Sequence, residues 1–288
     1  MKKNGPLLIA SNHPNSFLDA IILASIFKQP IYSLARGDAF KGKFISRLLY
    51  SMNMLPVYRL SEGAENLTHN FTTFSSCIEI FKKGGIVLIF SEGRCTNEWH
   101  LRSLKKGTAR LALTAWAENM PLEIIPLGIN YSSFRDFGKN VYLNFGNPIY
   151  RDDINNSTTE GMKITEFNNL LSSQLMDLIY EIDLEDDEKR KRLLTKKISL
   201  LKKVILIIPA TIGAIFHYPF YNLVKLLIKN KANDHFDSIV IGIFFMFYPL
   251  YILMLCILGL LFFDGRISMA ILILLPFCIW SFLQLKKQ

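Results

Sequence analysis

The sequence predicts an α/β fold, a mixed and largely parallel sheet covered by helices, followed by a C-terminal transmembrane hairpin. Three observations carry that expectation. Short apolar runs alternate with longer stretches of helical spacing through the first two thirds of the chain, the pattern of strands joined by crossover helices. One run, Ile86-Val87-Leu88-Ile89-Phe90, is apolar without interruption, as a strand buried on both faces must be. The last third is far more apolar, and 239–263 carries no charge over roughly 25 residues, where about 20 suffice to cross a hydrocarbon core.

In chain order, 6–10 reads as a buried strand, and 17–27 as a helix with Phe17, Leu18, Ile21, Ile22, Ala24, Ile26 and Phe27 at helical spacing. Then come a strand at 31–36, a basic amphipathic helix at 42–52 and a strand at 54–58. The helix expected over 64–83 stops at Gly84-Gly85, which suits a helix C-terminus. After the strand at 86–90 follow a helix over 105–119, strands at 123–131 and 141–145, and an amphipathic helix over 163–183. That last helix places Phe167, Leu170, Leu171, Leu175, Leu178 and Ile179 on one side. The first domain is drawn at 1–185, a basic, interfacial or re-entrant membrane-associated segment at 186–238, and two transmembrane helices within 239–288.

A net charge of +9 implies an anionic partner. Most aromatic residues lie in the apolar segments rather than among the cations, which sets nucleic acid aside. The run holding Lys189, Arg190, Lys191, Arg192, Lys196, Lys197, Lys202 and Lys203 lies just ahead of the apolar segments. It reads as a contact with anionic membrane lipid, each cation adding about 1 kcal/mol, against the plainer reading of a solvated helix face. The apolar stretch 204–228 is broken by Pro209, His217, Pro219 and Lys225 and is taken as interfacial or re-entrant. The second span is placed at 267–283. With lysines outside both spans, the positive-inside rule puts the first domain and the C-terminus in the cytoplasm, at the inner membrane. Cys77, Cys95, Cys256 and Cys278 show no C-x-x-C or metal spacing and read as reduced packing residues. Met1 to Gly5 leads straight into the first strand, without a signal-peptide pattern.

The stretch Ser11-Asn12-His13-Pro14-Asn15-Ser16-Phe17-Leu18-Asp19 joins the first strand to the first helix. An imidazole there can accept a proton near neutral pH, and a carboxylate early in the helix can hold one tautomer. The alternative has His13 capping a turn and Asp19 on a solvated face. Three further strand ends bear on the choice. Leu55-Pro56-Val57-Tyr58-Arg59 and Phe90-Ser91-Glu92-Gly93-Arg94 each deliver a guanidinium, the second also a carboxylate. Ile124-Ile125-Pro126-Leu127-Gly128-Ile129 holds an internal proline that suits an edge or a bulge. Strand C-termini of a parallel sheet line its ligand crevice, and two arginines there suit a phosphate. No G-x-S-x-G elbow occurs, Cys95 has no neighbouring base in sequence, and Glu98 with His100 reads as loop rather than metal site.

These four blocks, over roughly 5–148, resemble in order and spacing the 1-acylglycerol-3-phosphate / glycerol-3-phosphate acyltransferase family. The resemblance implies that fold, with His13 and Asp19 as the catalytic pair. It implies acceptor phosphate binding at Arg59, Glu92, Gly93 and Arg94, and an acyl-donor pocket at Pro126, with no metal or cofactor. It further implies transfer of a fatty acyl group from an acyl-CoA or acyl-carrier-protein thioester to lysophosphatidic acid, giving phosphatidic acid. Glycerol-3-phosphate or another lysolipid is the alternative acceptor, and a non-catalytic lipid-binding membrane protein the alternative class. The abrupt start leads to the expectation that relatives carry an N-terminal helix ahead of the first motif. The sequence departs from the family twice. Five residues rather than four separate His13 from Asp19, so the Pro14-Asn15 loop must absorb one. Ser91 stands where the third motif usually has proline, and Arg94 comes one position early, with Arg102, Lys105 and Lys106 just downstream.

Overall fold

The computed structural model describes residues 5–58, 68–155, 159–228, 233–263 and 265–286. The chain divides into two compact units. One takes in Met1–Pro14, Leu18–Asn130 and Tyr142–Asp183, the other Asn15–Phe17, Tyr131–Val141 and Leu184–Gln288.

The first unit is built on six strands: β1 (Leu7–Ser11), β2 (Ile31–Arg36), β3 (Met54–Val57), β4 (Ile86–Phe90), β5 (Glu123–Tyr131) and β6 (Val141–Phe145). Their order across the sheet is β3-β2-β4-β1-β5-β6. β1 pairs in parallel with β4 and β5, and β2 in parallel with β3 and β4. Five strand C-termini therefore share one edge. Every residue of β1 is buried, because a central strand covered on both faces has no polar side to show. Around the sheet run α1 (Phe17–Ile26), α2 (Lys43–Ser51), α3 (Thr68–Lys82), α4 (Lys106–Ala117) and α5 (Glu160–Leu178). α3 ends as expected. Gly84 takes φ +69°, and the Gly84 and Gly85 amides donate back to Phe81 and Ile80 at 2.8 and 2.9 Å, which satisfies carbonyls the helix leaves open.

The core joins Leu8, Val87 and Ile124 of the sheet to Phe81 of α3, Leu111 and Trp116 of α4, and Phe167 and Leu171 of α5. Trp116 meets Phe167 edge-on at 6.1 Å and donates its indole N–H to the Leu122 carbonyl at 3.0 Å. The proline expected at an edge or a bulge lies instead on an interior strand, since β5 has β1 on one side and β6 on the other. Pro126 accepts from the Gly146 amide at 2.9 Å.

The second unit holds α6 (Asp187–Leu194), α7 (Leu200–Ile228), α8 (Phe236–Phe262) and α9 (Gly265–Lys286). Among the described residues three helices are long and apolar enough to cross a membrane: Leu200–Ile228, Phe236–Phe262 and Ser268–Lys286. They mark the chain as membrane-associated, and their exposed residues are themselves apolar, Ile208, Phe245 and Leu261 among them. The hairpin of two spans is thus joined by a third such helix, because α7 runs unbroken through Pro209 and Pro219. A proline removes one backbone donor without ending an apolar helix in lipid. His217, the polar interruption, has both ring nitrogens engaged, Nδ1 with the Gly213 carbonyl at 2.9 Å and Nε2 with the Tyr248 hydroxyl at 2.8 Å. Gly213 is needed because a Cβ there would lie 2.3 Å from the Cys278 carbonyl oxygen, the close approach that small residues permit between apolar helices.

One buried polar cluster stands at the start of α8. Asp237 pairs with Lys139, both side chains under 10% exposed, and accepts the Asn15 amide at 2.6 Å through Oδ2. All four cysteines are free, and burial pushes the Cys77 thiol up to about 12, which leaves it inert.

Candidate active site

β1 carries the chain to the shared C-terminal edge at Ser11, and two side chains then hold the loop against its neighbour. The Ser11 hydroxyl donates to the Leu127 carbonyl at 2.8 Å. Asn12, 3% exposed, donates through Nδ2 to the Ile129 carbonyl at 3.0 Å and accepts the Ile129 amide at 2.8 Å. A carboxamide that closes both bonds to a strand backbone continues the ladder by one rung after β1 has ended.

His13 follows on that fixed base. Its Nδ1 lies 2.9 Å from Asp19 Oδ2. The Asp19 side chain is fully buried, and that of His13 is 18% exposed. Asp19 sits in the first turn of α1, so the helix start aims its carboxylate back at the loop. The extra residue between the two is absorbed within 14–16, where Ser16 adopts φ +52°, a left-handed conformation uncommon outside glycine. The imidazole stacks on the Phe90 ring with centroids 3.8 Å apart and planes 12° from parallel.

The strand end of β4 grips the same loop. Glu92, 6% exposed, accepts the His13 amide at 2.8 Å through Oε2 and the Arg102 amide at 2.9 Å through Oε1. Burial raises the Glu92 carboxyl above the ordinary glutamate value, with the Arg102 and His13 amides pulling the other way. The Thr96 amide donates to the His13 carbonyl at 3.2 Å, and the Asn97 side chain to the Pro14 carbonyl at 2.7 Å. Gly93 turns the chain at φ +65°, and a Cβ there would meet Lys105 Cγ at 2.9 Å. Ser91, in the place of the family proline, accepts the Thr108 hydroxyl at 2.9 Å.

The structure therefore brings His13, Asp19 and Glu92 together at one sheet edge. Arg94 is exposed and, among the described residues, has no hydrogen-bond or ion-pair partner. Arg59 lies outside the described residues. Arg102 is paired with Glu98, its NH2 group 3.1 Å from Oε2. Pro126 is buried in β5 beside Ala10 of β1. His100 pairs with Glu181 rather than Glu98, and among the described residues no group of His, Cys, Asp and Glu is placed to hold a metal ion. Sequence reasoning missed Phe90 as the platform for the imidazole, and missed Thr96 and Asn97 as loop clamps. Phe90 alone left a signal, as the aromatic end of an otherwise aliphatic strand.

An imidazole–carboxylate pair at the C-terminal edge of a parallel sheet defines a class of site in which a base can activate an incoming hydroxyl. The family model described as Acyltransferase matches residues 1–130 of the chain. A chloroplastic 1-acyl-sn-glycerol-3-phosphate acyltransferase of Arabidopsis thaliana is 27% identical over 142 residues, 49% of this chain and 37% of the relative. The chain thus matches little more than a third of that protein's length. The crystal structure of the 1-acyl-sn-glycerophosphate acyltransferase PlsC from Thermotoga maritima aligns with 62% of this chain and 68% of its own, at 14% identity and a TM-score of 0.38.

Proposed function

We propose that this chain is an O-acyltransferase that moves a fatty acyl group from an acyl thioester to the free hydroxyl of lysophosphatidic acid, giving phosphatidic acid. The observation that carries the reading is the His13–Asp19 contact at 2.9 Å. Asp19 accepts the hydrogen bond from Nδ1–H, which holds the proton on Nδ1 and leaves the lone pair on Nε2, the arrangement of a general base. The acceptor oxygen attacks the thioester carbonyl as Nε2 removes its proton, forming the C–O bond. Collapse of the tetrahedral intermediate breaks the C–S bond, and the imidazolium returns the proton to the departing thiolate. The stacked Phe90 ring and the bonds from Glu92, Thr96 and Asn97 hold the base still, so positioning supplies part of the rate.

Arg59, Arg94 and Gly93 are proposed to receive the acceptor phosphate. Arg94 is exposed beside the base's loop and suits this role. Glu92 is proposed to serve the acceptor indirectly, by fixing the loops around it, and Pro126 to border the acyl-donor pocket. The catalytic part is proposed as 1–185 and the membrane-associated part as the remainder. If all three helices cross, lysines at the far end no longer share a side with the first domain, and the basic run at 189–203 alone supports a cytoplasmic face at the inner membrane. The non-catalytic reading rested on the longer His13–Asp19 spacing, which the turn at Ser16 accommodates.

The test is thiol release from acyl-CoA by the membrane-bound protein with lysophosphatidic acid, with and without His13→Ala. Release that needs both acceptor and His13 is expected. A panel with acyl-carrier-protein donors, glycerol-3-phosphate and other lysolipids then identifies donor and acceptor. No release with any pair, from folded protein that still binds lipid, overturns the enzyme.

A further inference from the structure

α2 is a helix without a buried residue. None of its nine residues is buried, and its apolar side chains face outward: Phe44 is 77% exposed, and Ile45, Leu48 and Met52 just beyond are all exposed. Positions 44, 45, 48 and 52 share one face of a helix. Half-buried Ser46 and Leu49 carry its contact with the rest of the unit, and the Ser46 hydroxyl donates to the Phe40 carbonyl at 2.6 Å. Across 41–52 the charged residues are Lys41, Lys43 and Arg47, all basic and all exposed. The nearest acid upstream, Asp38, is already paired with Arg36.

We infer that α2 lies flat in the interface of an anionic bilayer, with Phe44, Ile45 and Leu48 in the acyl boundary and Lys43 and Arg47 among the headgroups. This rests on the membrane-bound reading above and adds a contact made by the acyltransferase unit itself. Charge selects the occupant. A face of large apolar side chains flanked by cations alone, on a helix of modest overall hydrophobicity, matches an anionic lipid surface. A protein partner of ordinary composition gains nothing from the cations. Connectivity gives the contact a purpose. β2 ends at Arg36 on the same edge of the parallel sheet as Ser11 and His13, and α2 begins a few residues later. Its first turn, with Phe44, therefore starts from the edge that carries the base. Docking α2 would bring that edge to the surface where a lipid acceptor resides.

The experiment uses the full chain reconstituted into vesicles of phosphatidylcholine alone or with phosphatidylglycerol. A polarity-sensitive fluorophore is placed through Phe44→Cys, or through Tyr50→Cys, exposed and about 120° round the helix from Phe44, with the unsubstituted chain as labelling background. The Phe44 probe is expected to shift to the blue in anionic vesicles and to be quenched by spin-labelled lipid, while the Tyr50 probe stays aqueous. Lys43→Glu with Arg47→Glu is expected to abolish the shift. An aqueous Phe44 probe on a chain that floats with the vesicles overturns this inference alone. A blue shift that lipid quenchers do not reach overturns it in favour of protein contact. Equal burial in both vesicle types overturns the preference for anionic lipid. A chain that does not float overturns the membrane-bound reading and the inference with it.

Discussion

Glu92 holds the backbone of His13, with Oε2 2.8 Å from the His13 amide, and its other oxygen takes the Arg102 amide at 2.9 Å. A carboxylate with both oxygens committed to backbone donors works through the residue it holds. Glu92→Gln keeps the shape but turns one acceptor into a donor that faces an N–H. The expected result is a fall of about tenfold or more in kcat, worth roughly 1.4 kcal/mol, with the KM for acceptor little changed. A rise in KM at constant kcat would assign Glu92 to direct acceptor binding.

The same substitution reports on proton linkage. Burial raises the Glu92 carboxyl, so the folded state holds that proton more tightly than the unfolded chain. Between the ordinary glutamate value and the raised one, the unfolded state binds fewer protons, and stability falls as pH rises. Glu92→Gln lacks this slope. Thermal midpoints of the two proteins in detergent, from about pH 4 to 7, are expected to differ most in favour of the wild type at the acid end. A difference that grows with pH would reverse the assigned direction.

His13→Ala should leave the fold intact, because the loop is held by backbone and by Asn12, and should lower kcat by at least 10²–10⁴-fold, about what a general base contributes. Asp19→Asn is expected to fall in the same range, since a carboxamide can donate to Nδ1 and favour the wrong tautomer. An Asp19→Asn enzyme with unaltered kcat would reduce Asp19 to a buried packing residue.

Much of this is legible in the sequence. β4 announced itself because a doubly covered strand has no polar side chain to show, and Gly84-Gly85 marked a helix end by its backbone freedom. His13 and Glu92 were readable as loop residues after strand ends, and Asp19 as a carboxylate early in the helix that follows. The sheet order was not, since nothing local to Leu7–Ser11 says that β4 and β5 will flank it. The Asn12 clamp on Ile129 and the Phe90 platform depend on that order, so they stayed hidden. In α7, Pro209, Pro219 and His217 look like interruptions in a sequence, whereas the helix runs through all three. The Tyr248 hydroxyl that meets His217 Nε2 comes from α8 and becomes visible only once the helices are side by side.

The fourth motif offers a structural test of its glycine. A Cβ on Gly128 would lie 2.4 Å from the Leu178 carbonyl oxygen, and that carbonyl also accepts the Asn130 and Asn144 side chains at 3.0 and 2.8 Å. Gly128→Ala must push the end of α5 off β5 and break this junction. The expected cost is about 1–3 kcal/mol, read as a lower midpoint in thermal or denaturant unfolding. An unchanged midpoint with a raised KM for the acyl donor would move Gly128 from packing to substrate contact.

The buried pair of Lys139 and Asp237 makes the last prediction. Both side chains are under 10% exposed, so removing one partner leaves the other charged and unsolvated. Asp237→Ala is expected to cost roughly 3–5 kcal/mol and also to strip the Asn15 amide of its acceptor at 2.6 Å. The double substitution Lys139→Met with Asp237→Leu removes both charges and should recover most of that loss. Resistance to proteolysis and the thermal midpoint in detergent measure both variants. If the double variant proves no more stable than Asp237→Ala, the damage lies with Asn15 and its turn, since that is the bond both variants lack.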